Sequence, residues 1–347
     1  MINDLNKTII AFTKLGDFLN DFLQSRSIQG DWAQRLGETI ELSGHQNGWF
    51  TKENVKYAVK SWASLLTYQN LNKWLINYDL ENRSKKTVAI IMAGNIPLVG
   101  FHDFLCVLLT GNKALVKLSD SDKVLLPFLC DFLVAIEPSL KESIEFKNGK
   151  LEQFDAVIAT GSNNTARYFE YYFGNKPNII RKNRNSIAVL TGNESKAKLE
   201  FLGEDIFRYY GLGCRSVSKL FVPEGYDFDT FFKSIFSFNE IVNQNKYANN
   251  YDYNKAVYLM SDFPILDNGF LILKEDTNYA SPIASLNYEF YTSEEELKNR
   301  LEADQNELQC IVSEGFWPAE VPFGHTQIPS LEDYADGVDT VDFLLKK

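Results

Sequence analysis

Apolar residues recur at helical spacing through the first eighty residues of the chain. In the run LNKTIIAFTKLGDFLNDFL they fall every three or four positions, which places them on one face of a helix. The run NVKYAVKSWASLLTYQNLNKWLINY repeats this spacing, and the polar sequence ENRSKK then breaks it. The pattern therefore predicts a helical N-terminal segment followed by a polar linker.

Beyond the linker, short apolar runs alternate with helical patterns. The predicted strands are 87–92, 113–118, 154–160, 186–190, 218–223 and 256–260, and the predicted helices are 97–111, 122–136, 163–173, 195–210 and 228–244. Strands that are apolar throughout and alternate with helices form parallel sheets covered on both faces. The alternation predicts an α/β fold, and the length of 347 residues suits two such units with a boundary near residue 190.

Charge and cysteine usage narrow the classes of function. The chain has 46 acidic and 35 basic residues, a net charge of −11, which disfavours nucleic acid and anionic membrane surfaces as partners. The sequence predicts no signal peptide and no apolar stretch long enough for a membrane span. The four cysteines lie far apart without a CxxC pair, so we expect reduced thiols in the cytoplasm and neither a disulfide framework nor a zinc cluster.

Parallel sheets bind ligands at the carboxyl ends of their strands, which directs attention to the loops AGNIP, SDSD, TGSN and TGNES. Asn95 follows the first strand, and a helix predicted to begin near Pro97 makes its amide either an oxyanion donor or a helix cap. Lys117 ends a strand, where it could meet a ribose or phosphate or simply be solvated. Gly161 and Ser162 suit either close approach of a cofactor or a plain helix cap.

Cys214 is the sharpest candidate for chemistry, within the sequence YYGLGCRSVSK. Cys106 and Cys130 lie in apolar helical runs and Cys310 in a predicted buried strand, as expected of core thiols. Cys214 instead follows two glycines in a turn, where it is either a reactive thiol or a small turn residue. A reactive thiol needs a helix terminus, a cation or a base to favour its thiolate. A Cys–His pair stays open, although His102 in an apolar helix has the pattern of a structural histidine.

Six motifs surround this cysteine in one order: AGNIP, TGNKALVKLSD, ATGS, GLGCRSVSKLFVPEG, SPIASLNYEFYTSEEEL and VPFGHTQIPSL. In this order they resemble the aldehyde dehydrogenase superfamily, and within it the LuxC-type fatty acyl-CoA reductases, from about residue 86 to the end. The resemblance implies an aldehyde dehydrogenase-like fold of two α/β domains with mainly parallel sheets, preceded by the helical segment. It implies a nicotinamide cofactor-binding domain within 1–190, a catalytic domain at 191–320, and a C-terminal segment at 321–347 that returns towards the first domain.

The resemblance also implies roles for single residues. Cys214 matches the nucleophile of the superfamily, and Asn95 matches its oxyanion donor. The implied contacts to the cofactor are Lys117, Ser119, Asp120, Gly161 and Ser162.

Two segments depart from the superfamily pattern. Hydrolytic aldehyde dehydrogenases carry a Glu-Leu-Gly-Gly-Lys segment whose Glu activates water, whereas the corresponding IIRKNRNSIAVL has basic residues and Asn. The Glu of the later Glu-Ile-Phe-Gly-Pro motif, a ribose contact, is also missing from NYASPIASL. An acyl-enzyme that is reduced or exchanged with a thiol does not need the water-activating base. Arg181, Lys182 and Arg184 could meet coenzyme A phosphates or the cofactor adenylate, or could form a solvated edge.

We therefore expect a cytoplasmic reductase of medium- or long-chain fatty acyl-CoA that uses NADPH, the cofactor that the resemblance implies. Asp120 opposes a ribose 2′-phosphate, which leaves NADH open. The expected partners are a second copy of the chain and an acyl-protein synthetase or other acyl donor protein. The alternatives are a hydrolytic aldehyde dehydrogenase, a cysteine acyltransferase or thioesterase, and a non-catalytic acyl-binding protein.

Overall fold

The computed structural model describes residues 2–80 and 84–346. The first half of the predicted polar linker, residues 81–83, lies outside the described residues. The chain divides into two compact units: unit 1 contains the residues through Lys182 and the C-terminal segment from Ser330, and unit 2 spans Asn183–Pro329. No helix in the described part of the chain is long and apolar enough to cross a membrane.

Unit 1 begins with four helices. They are α1 (Ile2–Leu23), α2 (Trp32–Gln46), α3 (Lys52–Leu65) and α4 (Tyr68–Leu75). The helix α1 coincides with the first predicted run, α3 and α4 divide the second, and α2 lies in neither. The apolar face of α1 is buried through Phe12, Leu15 and Leu19. Thr51 and Thr67 cap α3 and α4 through their hydroxyl groups, which accept hydrogen bonds from backbone N–H groups in the first turns. The predicted helical N-terminal segment is therefore confirmed.

The rest of unit 1 is a parallel sheet with helices between its strands. The elements are β1 (Thr87–Ile91), α5 (Phe101–Leu109), β2 (Lys113–Lys117), α6 (Leu125–Ile136), β3 (Ile144–Phe146), β4 (Ala156–Thr160), α7 (Asn163–Phe173), β5 (Asn178–Arg181) and α12 (Thr340–Leu345). The strand order is β3-β2-β1-β4-β5, and each neighbouring pair is parallel. In the central strand β1, Val88, Ala89 and Ile90 are buried, which explains its uninterrupted apolar sequence.

Unit 2 holds a second, mainly parallel sheet. Its elements are β6 (Asn185–Val189), α8 (Lys196–Phe207), β7 (Val217–Pro223), α9 (Phe228–Ser234), α10 (Asn245–Met260), β8 (Ile265–Asp267), β9 (Ile272–Glu275), β10 (Ser285–Tyr291), α11 (Glu294–Ala303) and β11 (Leu308–Val312). The strand order is β11-β6-β7-β10-β9-β8. The β8–β9 pair is antiparallel and the other pairs are parallel. The predicted α/β fold with mainly parallel sheets is confirmed.

The strand predicted at 256–260 is wrong, because this segment is the last part of α10. Its sequence AVYLM is rich in strand-forming residues, but Tyr247, Tyr251 and Tyr258 are buried at helical spacing and pack α10 against the rest of unit 2. Val257 and Leu259, on either side of Tyr258, are exposed. The predicted helix at 228–244 is also interrupted, since α9 ends at Ser234 and a 3₁₀ helix follows.

Polar groups connect the C-terminal segment of unit 1 to the N-terminal helical segment and to α5. The Trp74 indole N–H donates to the Tyr334 hydroxyl at 2.8 Å, and the Tyr78 hydroxyl donates to the Asp339 carboxylate at 2.8 Å. The His102 Nε2 lies 3.0 Å from the carbonyl oxygen of Leu331. These hydrogen bonds join residues more than 200 positions apart, so the segment belongs to the folded core of unit 1.

Candidate active site

The sequence-predicted cofactor residues gather at one edge of the unit 1 sheet. The strand β1 pairs with β2 on one side and with β4 on the other, and all three run parallel. The loops that follow these strands therefore leave the sheet at the same edge and diverge where the strand order reverses. Asn95, Lys117, Ser119, Asp120, Gly161 and Ser162 all lie at this edge.

The loop that carries Asn95 is packed tightly against the loop after β2. A Cβ atom on Gly94 would lie 2.5 Å from the Ser119 Oγ, so only glycine permits this approach. The Asn47 side chain donates from Nδ2 to the carbonyl oxygen of Gly94 at 3.2 Å. Asn47 is buried and lies just after α2, in a region where the sequence predicts no site residue. The backbone before Asn95 is therefore anchored from two directions.

The predicted start of the following helix near Pro97 is wrong. The helix α5 begins at Phe101 and its N-cap is Gly100, while residues 97–100 form a turn in which Leu98 has a φ of 58°. Asn95 is exposed and lies five residues before that cap. The alternative that Asn95 caps the helix is therefore excluded.

The loop after β2 combines three predicted residues with one that the sequence reading missed. The Lys117 side chain is exposed, and the Ser119 Oγ accepts a hydrogen bond from the Ser121 N–H at 3.2 Å. The Asp120 carboxylate is 97% exposed and pairs with the Lys123 ammonium at 2.5 Å. The hydrogen bond and charge of Lys123 hold the pKa of Asp120 below its ordinary value. The Lys123 ammonium thus lies beside the Asp120 carboxylate, the group that we expect to repel a ribose 2′-phosphate.

The loop after β4 leads directly into α7. Ser162 is the N-cap of α7, and its hydroxyl accepts a hydrogen bond from the Thr165 N–H at 3.3 Å. A Cβ atom on Gly161 would lie 3.0 Å from side-chain atoms of Thr165 and Phe169, so the turn is narrow. Ser162 therefore performs the capping role that the sequence left open, and its exposed position leaves the helix terminus at the surface.

The three basic residues of RKNRNS have different environments. The Arg181 guanidinium is buried, lies 2.6 Å from the Asp103 carboxylate and donates to the carbonyl oxygen of Ala335. Lys182 is exposed and pairs with Glu170 at 2.8 Å. Arg184 donates to the carbonyl oxygen of Leu308 at 3.2 Å. The predicted role of Arg181 in binding a phosphate does not fit this arrangement, because the guanidinium points into the interior of unit 1.

Cys214 lies at the amino edge of the unit 2 sheet, three residues before β7. The neighbouring parallel strands begin at the same edge, as the pairing of Asn185 with Leu308 and of Ser186 with Val217 shows. The loop TGNES follows the carboxyl end of β6 and therefore lies at the opposite edge. The sequence-predicted cofactor residues of unit 1 therefore lie at carboxyl ends of strands, whereas Cys214 lies at an amino end.

The turn that carries Cys214 differs from the surroundings of the other cysteines. Cys214 is exposed, whereas the other three cysteines are buried. The Ser216 N–H donates to the carbonyl oxygen of Gly213 at 3.0 Å, which closes the turn. The Ser186 hydroxyl donates to the carbonyl oxygen of Cys214 at 2.8 Å. Cys214 is thus exposed on a backbone turn that hydrogen bonds define.

Residues 322–327, which we name the PFGHTQ loop after their sequence, flank this turn. The Arg215 Nε donates to the carbonyl oxygen of Thr326, and the Gln327 side chain donates to the Ser216 hydroxyl at 3.3 Å. The Asp205 carboxylate accepts the N–H groups of Gly324 and Thr326 at 2.6 and 2.9 Å. Burial raises the pKa of Asp205, and these two hydrogen bonds oppose the shift. The sequence analysis does not identify Asp205, whose only signal is an acidic residue at helical spacing from the apolar Leu202 on α8.

The Cys–His pair that the structure contains lies in the core of unit 1. The Cys106 Sγ is 3.9 Å from the His102 Nδ1, and both residues belong to α5. Burial raises the pKa of Cys106 well above its ordinary value and lowers the pKa of His102, so both groups favour their neutral forms. This pair is structural, as the apolar setting of His102 predicts.

Solved structures define the fold class. An indole-3-acetaldehyde dehydrogenase in complex with NAD⁺ is 12% identical, with a TM-score of 0.63 over 91% of this chain and 77% of that one. Betaine aldehyde dehydrogenase from Staphylococcus aureus in complex with NAD⁺ is 12% identical, with a TM-score of 0.60 over 90% and 75%. A mutant aldehyde dehydrogenase from Bacillus cereus is 11% identical, with a TM-score of 0.62 over 89% and 76%. The chain therefore has an aldehyde dehydrogenase-like fold.

The sequence profile of the acyl-CoA reductase (LuxC) family matches residues 44–236, more than half of the chain. The chain therefore belongs to the acyl-CoA reductase (LuxC) family, a family of aldehyde-related oxidoreductases. The matched range contains both Asn95 and Cys214. No curated protein sequence matches the chain.

Proposed function

We propose that this protein reduces a fatty acyl-CoA to the corresponding aldehyde through a covalent acyl-enzyme on Cys214. One observation carries the proposal: Cys214 lies within the range that matches the acyl-CoA reductase family and is exposed on a defined turn, whereas the other three cysteines of the chain are buried. A thiol must reach its substrate to act as a nucleophile. Cys214 is the cysteine that meets this condition.

The chemistry follows from the nucleophile. The Cys214 thiolate attacks the thioester carbonyl carbon, and the tetrahedral intermediate then expels the coenzyme A thiolate to leave an acyl-enzyme. The Asn95 amide and the Cys214 backbone N–H are the donors we assign to the oxyanion of this intermediate. Asn95 suits the role because it does not cap α5 and its side chain is exposed.

The loop edge of unit 1 suits a nicotinamide dinucleotide. We assign its binding to Lys117, Ser119, Asp120, Gly161 and Ser162, which lie on loops that diverge from neighbouring parallel strands. When bound, the dinucleotide supplies the hydride that converts the acyl-enzyme to a thiohemiacetal, from which the aldehyde leaves. We propose NADPH as the preferred form, because Lys123 offsets the charge of Asp120 at this edge.

The segment at 179–190 supports reduction over hydrolysis. It contains no carboxylate that could activate water, and its basic residues Arg181 and Lys182 each pair with an acidic side chain. Without a general base to activate water, an acyl-enzyme is hydrolysed slowly and remains available for reduction by hydride or for transfer to a thiol. We keep Lys182 and Arg184 as candidate contacts for coenzyme A phosphates and omit Arg181. We further propose a medium- or long-chain acyl group, a cytoplasmic location, self-association and an acyl donor protein as partner.

Labelling with substrate tests the proposal. The protein incubated with radiolabelled palmitoyl-CoA and no reductant should retain about one acyl group per chain on Cys214, identified by peptide mapping. Addition of NADPH should release the label as aldehyde, and Cys214→Ser should prevent labelling. Label on any of the buried cysteines, or no label in the wild type, contradicts the proposal.

The products separate the alternatives. Release of free fatty acid without oxidation of NADPH would identify a thioesterase. Conversion of aldehyde and NADP⁺ to free acid without coenzyme A would identify a hydrolytic aldehyde dehydrogenase. Repeating the assay with NADH and with acyl chains of several lengths measures cofactor and chain preference.

A further inference from the structure

We propose that Asp205 is a positioning residue for Cys214, and that it acts by holding the PFGHTQ loop against the turn at residues 213–216. The catalytic meaning of this inference rests on the proposed function of Cys214. The hydrogen bonds that connect Asp205 to the turn at residues 213–216 all lie within unit 2, so the positioning itself does not depend on the proposed function.

First, Asp205 holds the PFGHTQ loop by hydrogen bonds. Asp205 is fully buried on α8, and each of its carboxylate oxygens accepts one backbone N–H of the loop, from Gly324 and from Thr326. Gly324 has a φ of 81°, and a Cβ there would lie 3.1 Å from the Phe201 side chain on the same helix. The loop is therefore seated on α8 by two charge-assisted hydrogen bonds and by a close approach that favours glycine.

The second step connects the loop to the residues beside the thiol. The Thr326 carbonyl oxygen accepts from the Arg215 Nε, and Gln327 donates to the Ser216 hydroxyl at 3.3 Å. Thr326 and Gln327 are both buried, so these contacts are shielded from water. The two residues that follow Cys214 are thus held by the loop that Asp205 anchors.

The third step is the backbone that enters the turn. Tyr209, Tyr210 and Gly211 have consecutive φ values of 54°, 59° and 75°. Left-handed conformations of tyrosine are uncommon, and they persist only where surrounding contacts impose them. Residues 209–211 connect the end of α8 directly to the turn that carries Cys214. Because surrounding contacts impose the backbone conformation of these residues, the link by itself does not hold Cys214 in place. The loop and Ser186 supply the restraint from the other side.

The variant Asp205→Asn tests this arrangement with little change in shape. It replaces one carboxylate oxygen by an NH₂ group, which would face a backbone N–H of the loop and leave that buried donor without an acceptor. The loop should therefore shift away from α8, and the turn should lose its contacts through Arg215 and Ser216. Asp267→Asn is the matched control, because Asp267 also accepts a backbone N–H, that of Gly269, and belongs to the same unit.

The test has one readout that needs no activity. A nitroxide label reacts selectively with Cys214, since the other three cysteines are buried. We expect Asp205→Asn to at least double the mobile fraction of its electron paramagnetic resonance spectrum, and Asp267→Asn to leave the spectrum unchanged. On unlabelled protein, Asp205→Asn should slow acylation of Cys214 by palmitoyl-CoA at least tenfold, with a change in KM of less than about threefold. If Asp205→Asn does not fold, Gln327→Ala should show both effects to a smaller extent.

The outcomes separate this inference from the proposed function. Unchanged label mobility and an unchanged acylation rate in Asp205→Asn, with only a lower melting temperature, overturn the inference. A mobile label in Asp205→Asn together with no acylation in the wild type supports the positioning of the turn and refutes the proposed function.

Discussion

Replacing Arg181 with methionine tests whether this residue belongs to the interior of the protein or to its substrate site. The guanidinium lies 2.6 Å from Asp103 and 3.1 Å from the Thr340 hydroxyl, and the Arg181 and Asp103 side chains are 5% and 10% exposed. At this distance and an effective dielectric constant of about 20, the attraction is about 6 kcal/mol. Desolvation of both ions offsets much of it. The variant leaves Asp103 buried and unpaired, which costs about 3–5 kcal/mol of folding free energy.

The expected result is a large loss of stability without a change in substrate binding. For a unit of about 200 residues, this loss lowers the melting temperature by roughly 6–20 °C. Differential scanning calorimetry measures the shift, and the KM for palmitoyl-CoA, measured well below the transition, should stay within about twofold. The neighbouring Lys182→Ala is the control: its pair with Glu170 is about half exposed, so its loss should change stability by at most about 1 kcal/mol.

A double variant separates the charge from the packing. Asp103→Leu combined with Arg181→Met removes both ions and should recover much of the lost stability, because an unpaired buried charge no longer remains. The reasoning is refuted if Arg181→Met melts within about 2 °C of the wild type while its KM for palmitoyl-CoA rises about tenfold. That outcome would restore Arg181 to the substrate site.

Three further predictions concern the candidate site and the core. Asn95→Ala should lower kcat by about 10²-fold or more, with an unchanged melting temperature, if the amide stabilises the oxyanion; a loss of only a few-fold would remove this role. Asp120→Asn should raise the ratio of kcat/KM for NADPH to kcat/KM for NADH, and Lys123→Ala should lower this ratio, because the two charges act on a 2′-phosphate with opposite sign. Equal ratios in both variants would place the phosphate elsewhere. Burial lowers the pKa of His102 in the native state, so the unfolded chain binds a proton on this imidazole at a higher pH than the native state does. The free energy of unfolding should therefore fall as the pH drops below about 6.5. Urea unfolding at pH 7.5 and 5.5 should show a smaller difference for His102→Phe than for the wild type.

The strands β1, β2, β4, β6 and β7, and β11 around Cys310, could be predicted from sequence because their signal is local, whereas the sequence pattern does not predict β5, β9 and β10. The runs at 87–92, 113–118 and 154–160 have uninterrupted apolar centres, since the middle residues of these strands are buried in unit 1. The short strands β3 and β8 carry too few buried residues for any pattern to show. The segment AVYLM was misread because strand propensity is a weak preference, and α10 overrides it by burying tyrosines at helical spacing.

The candidate site also has some features that are visible in the sequence and others that only the fold shows. The order of the motifs and the small residues around Cys214 are visible in the sequence, and they single out this cysteine from three that lie in apolar runs. The environment of Arg181 is not visible, because its partner Asp103 lies 78 residues earlier. A basic residue in a polar segment looks solvated until the fold places an acidic residue beside it.

The sequence by itself determined the periodicity of the elements, the class of fold and the identity of the exposed thiol, because each follows from residues close together in the chain. Only the tertiary structure decided that Cys214 lies at the amino edge of its sheet and that Asp205 holds a loop 119 residues away. The physical reason is that burial patterns repeat over a few residues, whereas the partner of a buried hydrogen-bonding group is chosen by the topology that brings distant segments together.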